Sequence, residues 1–321
     1  MMTMLSHILV PMDGSRLAEC VLPHTAAVAR AFGARVTLLH VLKGSETDEQ
    51  LSLVDPLSWH INKAQSQAYL DGLTTQLREI GLDVENVILE GNPPERIVEY
   101  AHTQNVDLMV LSSHGQSGLS GWNISSVVQK ILMRAYISIM IVRAYQPTSD
   151  ELATHSYQHV LVPLDCSKRA ECALPLAIKL AGGKGASLTL AHIVERPEIP
   201  CCEALTAEDS LMVEHLIKRN QQVAAAYLDR LRSDYPGQIT TYLSVSDSPQ
   251  LTLHELVEQQ AIDLVVLSAH GSTQSVKWPY GSLVIGLIAY GTSPVLIVQD
   301  ITPNKVQPTL AEIAAREQKG H

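Results

Sequence analysis

The chain carries the same text twice. Residues 7–42 (HILVPMDGSRLAECVLPHTAAVARAFGARVTLLHVL) align without a gap on 159–194 (HVLVPLDCSKRAECALPLAIKLAGGKGASLTLAHIV), at an offset of 152 and with 17 of 36 positions identical. Further on, VDLMVLSSHGQSGLSGWNISSV (106–127) aligns on IDLVVLSAHGSTQSVKWPYGSL (262–283) at an offset of 156, which puts four extra residues in the middle of the second copy. A repeat this long binds the two halves to one fold, and 321 residues is the length of about two ordinary domains. The expected division is a first domain over 1–145, a polar linker over 146–157, a second domain over 158–300 and a tail over 301–321, readable only as a short amphipathic helix or a loose end.

Each copy alternates strand and helix. His7–Met12 is a short apolar run suited to a strand buried on both faces, and it leads into the helix-start signal Asp13-Gly14-Ser15. A helix over 16–32, a β-branched strand over 35–42, a longer helix near 58–80 and a strand over 84–90 follow. Helix 94–104, strand 106–112, a Gly/Ser loop, helix 126–135 and strand 137–143 complete the copy. The second copy repeats the strands near 159–164, 187–194, 239–245, 262–268 and 294–299. Strand–helix alternation with short connections predicts parallel sheets with right-handed crossovers. Ligands of such sheets sit beyond the carboxyl ends of the strands, which singles out the loops after the first and fourth strands.

The first loop reads Pro11-Met12-Asp13-Gly14-Ser15 and Pro163-Leu164-Asp165-Cys166-Ser167. An Asp there can accept hydrogen bonds from a ligand, or cap the helix it precedes. Cys166 stands where the first copy has Gly14, which weakens any claim that this turn needs a left-handed residue. The second loop reads Ser112-Ser113-His114-Gly115 and Ser268-Ala269-His270-Gly271, and nine residues after the glycine a helix opens at Ser125-Ser126 or Gly281-Ser282. Small residues before a helix N-terminus suit a phosphate group; an ordinary loop closed by serine caps reads the same way. His114 and His270 fit either a phosphate contact or bracing of the loop. His40, His192, Trp122 and Trp278 read as packing residues, and Cys20 and Cys172 as small core residues.

Composition removes other classes. Lys and Arg number 23 against 33 Asp and Glu, a net charge of −10, so the basic footprint of a nucleic-acid or anionic-membrane binder is missing. The start, MMTMLSHILVPMDGS, lacks a basic region and meets Asp13 early for a signal peptide, so a cytoplasmic location is expected. The uncharged stretch Trp278–Gln299 is long enough to span a bilayer, but Gly291-Thr292-Ser293-Pro294 breaks it, and its counterpart carries Lys130 and Arg134. Five cysteines without a C-x-x-C spacing, two of them adjacent at Cys201-Cys202, read as thiols in a reducing compartment. No P-loop, G-x-G-x-x-G, G-x-S-x-G or H-E-x-x-H motif occurs.

ILVPMDGS, VDLMVLSSHGQSGLSGWNISSV and ISIMIVRA in the first copy, with LVPLDCS, IDLVVLSAHG, WPYGSL and SPVLIVQD in the second, resemble the universal stress protein family as a tandem pair over nearly all of residues 5–300. The resemblance implies two Rossmann-like α/β domains of the adenine nucleotide alpha hydrolase type. Each is a five-stranded parallel sheet of order 3-2-1-4-5 flanked by helices. It also implies a pseudo-dimer of the copies through their last strands, with a homodimer as a further option. In its nucleotide-binding branch it implies ATP or another adenine nucleotide, with or without Mg, on a G-x-x-G-x9-G-[ST] loop. That loop maps onto Ser112, Gly115, Ser125 and Ser126, and onto Ser268, Gly271, Gly281 and Ser282. Asp13 and Asp165 match the adenosine-side Asp, within the loops opened by Pro11 and Pro163, and Val41 and Ile193 match the position whose backbone meets adenine.

Ser112 and Ser268 replace the first glycine, and Ser125 the third. If the backbone at Ser125 is left-handed, its side chain costs roughly 1–2 kcal/mol. The second copy, with Gly281 and the nearby cation Lys277, is therefore the expected better site. Three functions are open, in this order: a stress-response protein binding an adenine nucleotide with little or no hydrolysis; a scaffold of the same family acting through protein partners; and an ATP-using enzyme such as an ATP pyrophosphatase. The last needs an S-G-G-x-D-S loop that PMDGS and PLDCS lack.

Overall fold

A computed structural model describes residues 5–42, 56–116, 118, 124–144, 152–183, 185–197, 206–235, 237–272 and 279–300. Trp122, Trp278, Lys277, Cys201-Cys202, residues 146–151 of the expected linker and the tail 301–321 lie outside them. The first copy runs β1 (His7–Pro11), α1 (Arg16–Glu19), α2 (Val21–Phe32), β2 (Arg35–Leu42), α3 (Pro56–Glu79), β3 (Val84–Glu90), α4 (Pro93–Thr103), β4 (Leu108–Ser112), α5 (Ser126–Leu132) and β5 (Ser138–Val142). The second runs β6 (His159–Pro163), a 3₁₀ turn (Ala170–Ala173), α6 (Leu174–Leu180), β7 (Ser187–Glu195), α7 (Ala207–Asp234), β8 (Ile239–Ser246), α8 (Pro249–Gln259), β9 (Leu264–Ser268), α9 (Ser282–Tyr290) and β10 (Val295–Val298).

The single helix expected over 16–32 is broken at Cys20. Pro23 explains the break: it has no N–H to give the carbonyl of Glu19, and its ring would collide with that carbonyl. Pro175 does the same in the second copy, where only a 3₁₀ turn precedes α6.

The strands order as β3-β2-β1-β4-β5-β10-β9-β6-β7-β8 in one sheet. Each half has the order 3-2-1-4-5 with parallel neighbours, as the resemblance implied. At the centre β5 and β10 run antiparallel, with Met140 opposite Leu296 and Ile139 opposite Ile297.

Alternation of side chains along each strand supplies two cores. Ile8, Val10, Leu108, Val110, Met140 and Leu296 face one layer, with α2, α3, α6 and α7. Leu9, Met109, Leu111, Ile139, Val265 and Ile297 face the other, with α4, α5, α8 and α9. Because both faces are covered, the strands read as unbroken apolar runs. Among the described residues no helix is long and apolar enough to cross a membrane. The stretch that could have done so is the nine-residue α9 and the four-residue β10.

Arg143, 1% exposed at the end of β5, reaches across the seam. It donates to the carbonyls of Leu287 (2.7 Å) and Ile288 (3.0 Å), near the C-terminus of α9. Residues 152–157, expected as linker, are docked on α2: Arg30 donates to the carbonyls of Leu152, Ala153 and His155, and His24 lies 2.9 Å from the hydroxyl of buried Tyr157.

Candidate loop sites at the carboxyl edge of the sheet

β1 and β6 end in the same turn. Gly14 has φ +81° and Cys166 has φ +65°. Cys166 therefore does not weaken the case for a left-handed residue in this turn, since both copies adopt one. The second copy keeps the backbone and carries a Cβ in a conformation that costs an L-residue roughly 1 kcal/mol or more. Nor do Asp13 and Asp165 cap a helix. Ser15 is the N-cap of α1, accepting from the Ala18 N–H, and Ser167 Oγ accepts likewise from Ala170 N–H at the 3₁₀ turn.

The aspartates clasp the two loops together. Asp13 Oδ1 accepts from the Ser15 N–H (3.0 Å) and hydroxyl (2.6 Å), and Oδ2 accepts from the Gln116 N–H (2.5 Å). Asp165 repeats this with the N–H groups of Ser167 and Ser272. Burial pushes the Asp165 carboxyl up, but hydrogen bonds from Ser167 and Ser272 outweigh it and hold it below its ordinary value. The carboxylates lie where a side chain on the loop glycine would be. A Cβ on Gly115 would stand 1.9 Å from Asp13 Oδ2, and one on Gly271 2.3 Å from Asp165 Oδ2. These glycines are needed for the aspartates, a reason independent of any ligand.

The helix starts differ between copies. Ser125 has φ −72° and Gly281 φ −73°, both extended, so neither needs glycine and the strain foreseen at Ser125 does not exist. Both are held against their loops, through Ser125 N–H to Ser113 O and Gly281 N–H to Ala269 O, each 2.8 Å. The difference is the cap. Ser125 Oγ accepts from the Val128 N–H (3.3 Å), whereas among the described residues no side chain caps α9.

The loop serines turn inward. Ser112 Oγ lies 3.0 Å from the Leu17 carbonyl and 2.6 Å from the His114 carbonyl, and Ser268 Oγ donates to the His270 carbonyl at 2.6 Å. Their hydroxyls brace the loop. His114 and His270 are buried, 3% and 4% exposed. His114 Nδ1 meets Ser113 Oγ at 3.1 Å, and His270 Nδ1 donates to Asp300 Oδ1 at 2.7 Å. His40 and His192 donate to the carbonyls of Met12 and Leu164, each at 2.7 Å. Burial pushes the Cys20 thiol up to about 11 and the Cys172 thiol to about 12, which suits packed, unreactive groups.

Pro11, Asp13, Ser112, Gly115, Ser125 and Ser126 are thus brought to one loop cluster, as are Pro163, Asp165, Ser268, Gly271, Gly281 and Ser282. Val41 and Ile193 lie in β2 and β7, paired with Leu89 and Ser244. A cleft of about 450 Å³ between β3 and α4, walled by Leu89, Glu90, Arg96 and Tyr100, adjoins Val41 and shares no wall with the Asp13–Gly115 clasp. Among the described residues no three His, Cys, Asp or Glu side chains gather as a metal site. Sequence reasoning put Ser15 in a helix-start signal but gave the cap to neither Ser15 nor Ser167. It also missed Arg143, Arg169 and Asp300, which have no like residue in the other copy.

A profile described as "Universal stress protein family" matches residues 4–143 and again 156–299. A universal stress protein of Methanocaldococcus jannaschii is 27% identical over 158 residues, covering 44% of this chain and 98% of its own length, so it corresponds to one half. A putative universal stress protein of Pseudomonas aeruginosa superposes with a TM-score of 0.63 at 15% identity, covering 92% of this chain and 94% of its own. One from Archaeoglobus fulgidus superposes with a TM-score of 0.60 at 16% identity, covering 91% and 96%. At these identities the two structures speak for the fold. Two matches to one family profile, on two copies of one sheet, lead to one conclusion: the chain belongs to the universal stress protein family, as a tandem of two such domains.

Proposed function

We propose that this chain is a cytoplasmic stress-response protein that binds an adenine nucleotide, ATP or a relative of it, chiefly in its second copy, and hydrolyses it slowly or not at all. The observation that carries this reading is the N-terminus of α9. Among the described residues no side chain caps its first turn, and the Gly281 N–H holds that turn against the loop clasped by Asp165. A helix start of this kind beside a close-packed loop suits a phosphate group, through its N–H donors and the helix dipole. Asp165 would hold the adenosine side, with the Ile193 backbone near the base. A carboxylate offers about four acceptor positions. At Asp165 the N–H and hydroxyl groups of Ser167 and Ser272 all bond the carboxylate, so a ribose hydroxyl would take the place of one serine hydroxyl. Mg would come with the phosphates. Slow hydrolysis follows from both aspartates being engaged by backbone N–H groups, so that neither is poised as a general base.

The scaffold reading is favoured by one feature of the first copy, where Ser125 caps α5 with its own hydroxyl and takes a donor a phosphate would use. We propose that the first copy is the weaker or empty site, and that the halves act as a pseudo-dimer. Acid denaturation of the purified protein tests the reading. Release of an adenine nucleotide, identified by absorbance and mass, is expected; its absence, together with no ATP uptake at millimolar concentration, would leave the scaffold.

A further inference from the structure

The second-copy loop is anchored by ionic groups that the first copy lacks. His270 lies between Ala269, whose carbonyl receives the start of α9, and Gly271, which packs on Asp165. Its imidazole is buried, and its Nδ1 donates to Asp300 Oδ1 at 2.7 Å. Asp300 follows β10, its side chain 5% exposed, and its Oδ2 lies 2.6 Å from Arg169 Nε in the loop after β6. In the first copy the corresponding positions are Leu17 and Ala144. There His114 meets Ser113 Oγ, which also accepts from the Ala144 N–H at 3.0 Å.

A buried carboxylate facing two basic side chains is stable only while its charge is matched. We propose that Arg169, Asp300 and His270 form a positioning network that holds residues 268–272, the start of the second-copy loop, for a phosphate-bearing ligand and couples anion binding there to the protonation of His270. This rests on the nucleotide reading above. Among the described residues, Arg169 from the loop after β6 and Cys172 from the 3₁₀ turn face the pair, and Asp165 lies beside Gly271. Burial and the Asp300 carboxylate push the Cys172 thiol up to about 12, so it stays neutral. Protonation of His270 adds a cation one residue from Gly271 and strengthens its bond to Asp300. Phosphate affinity in the second copy therefore rises as pH falls through the His270 midpoint. Arg169 competes with His270 for the same carboxylate.

The signs are opposite for the two partners, which a merely structural role does not predict. In the full chain without ligand, histidine side-chain NMR should show the His270 midpoint about one pH unit lower in Asp300→Asn, a tenfold loss in proton affinity, and higher in Arg169→Gln. Asp300→Glu should restore part of the wild-type value. Calorimetric titration with ATP between about pH 5.5 and 8, across the usual histidine range, should show second-site affinity rising several-fold more toward acid in wild type than in His270→Gln. The ionisation of ATP itself is common to both. A His270 midpoint unmoved by both Asp300→Asn and Arg169→Gln would overturn the network, as would parallel binding profiles for wild type and His270→Gln. If Asp300→Asn does not fold, the Arg169→Gln arm decides by its sign. If wild type takes up no ATP while the midpoints move as stated, the network stands and the nucleotide reading falls.

Discussion

Cys166 shows how much one backbone angle decides. Gly14 makes the same turn without a side chain, and Cys166 makes it at φ +65° with one. Its Sγ lies 3.7 Å from His192 Nδ1, a weak contact, and burial, with Asp165 adding, pushes its thiol up, away from reactivity. Cys166→Gly is expected to stabilise the chain by roughly 0.5–1 kcal/mol, the relieved strain less the entropy of the freer unfolded chain. Gly14→Ala should destabilise by a similar amount. Urea unfolding of the two variants beside wild type checks both signs. The loop residues were legible in the sequence because both copies repeat them, and the structure brings them together. Their roles were not legible. Spacing shows a glycine at 115 and 271, but only the fold shows that an aspartate from another loop occupies the space beside it.

At the scale of elements, strands were the easiest to read, because burial on both faces leaves continuous apolar runs. Helix 16–32 was misread because its apolar spacing runs straight through Cys20, while the break is made by Pro23 acting on a carbonyl four residues back. The end of α9 was illegible for another reason. Its carbonyls are satisfied by Arg143 of the other copy, and aligning the repeats sets Arg143 on Gln299, which hides the cross-seam role. A cation at a helix C-terminus is favoured by the dipole, and here it also pairs buried acceptors. Arg143→Ala leaves the Leu287 and Ile288 carbonyls without that donor and should cost about 2–4 kcal/mol. Arg143→Lys, with no fork to reach both, should recover only part. Urea midpoints for the two variants measure this, and a loss under about 0.5 kcal/mol, typical of a neutral surface change, would contradict it.

Over the whole molecule, the sheet and the strap of residues 152–157 join the halves. His24 of α2 meets His155 of that strap at 3.2 Å, beside Tyr157 and Arg30. Burial, then the neighbouring His155, pushes His24 down from 6.5 to about 3; burial lowers His155 too, with Arg30 adding and Asp263 opposing. Because the folded values lie below the unfolded ones, the unfolded chain binds more protons in that window. Stability is then complete above about pH 6.5 and is lost as pH falls toward 3, by at most about 1.4 kcal/mol per pH unit for each histidine. His24→Gln should flatten this loss in urea midpoints measured from pH 7 to 4, and parallel curves would contradict it. The duplication made the tandem architecture readable, but the residues aligned with this strap carry Thr3 and Leu5 where it has His155 and Tyr157, so the repeat did not reveal it.

The start of α9 is proposed above to make the second copy the nucleotide site. The most direct test is calorimetric titration of ATP into wild type, Gly281→Val and Ser125→Gly. A Cβ at Gly281 meets the Ala269 carbonyl at an ordinary 3.6 Å, so the fold should tolerate the valine while its side chain crowds the phosphate position. Gly281→Val should remove the tighter site, a loss of about tenfold to a hundredfold in affinity for one lost or clashing phosphate contact. Ser125→Gly should keep that site and strengthen the weaker one. Unchanged binding in Gly281→Val, with binding abolished in Asp13→Ala, would place the site in the first copy and contradict the account.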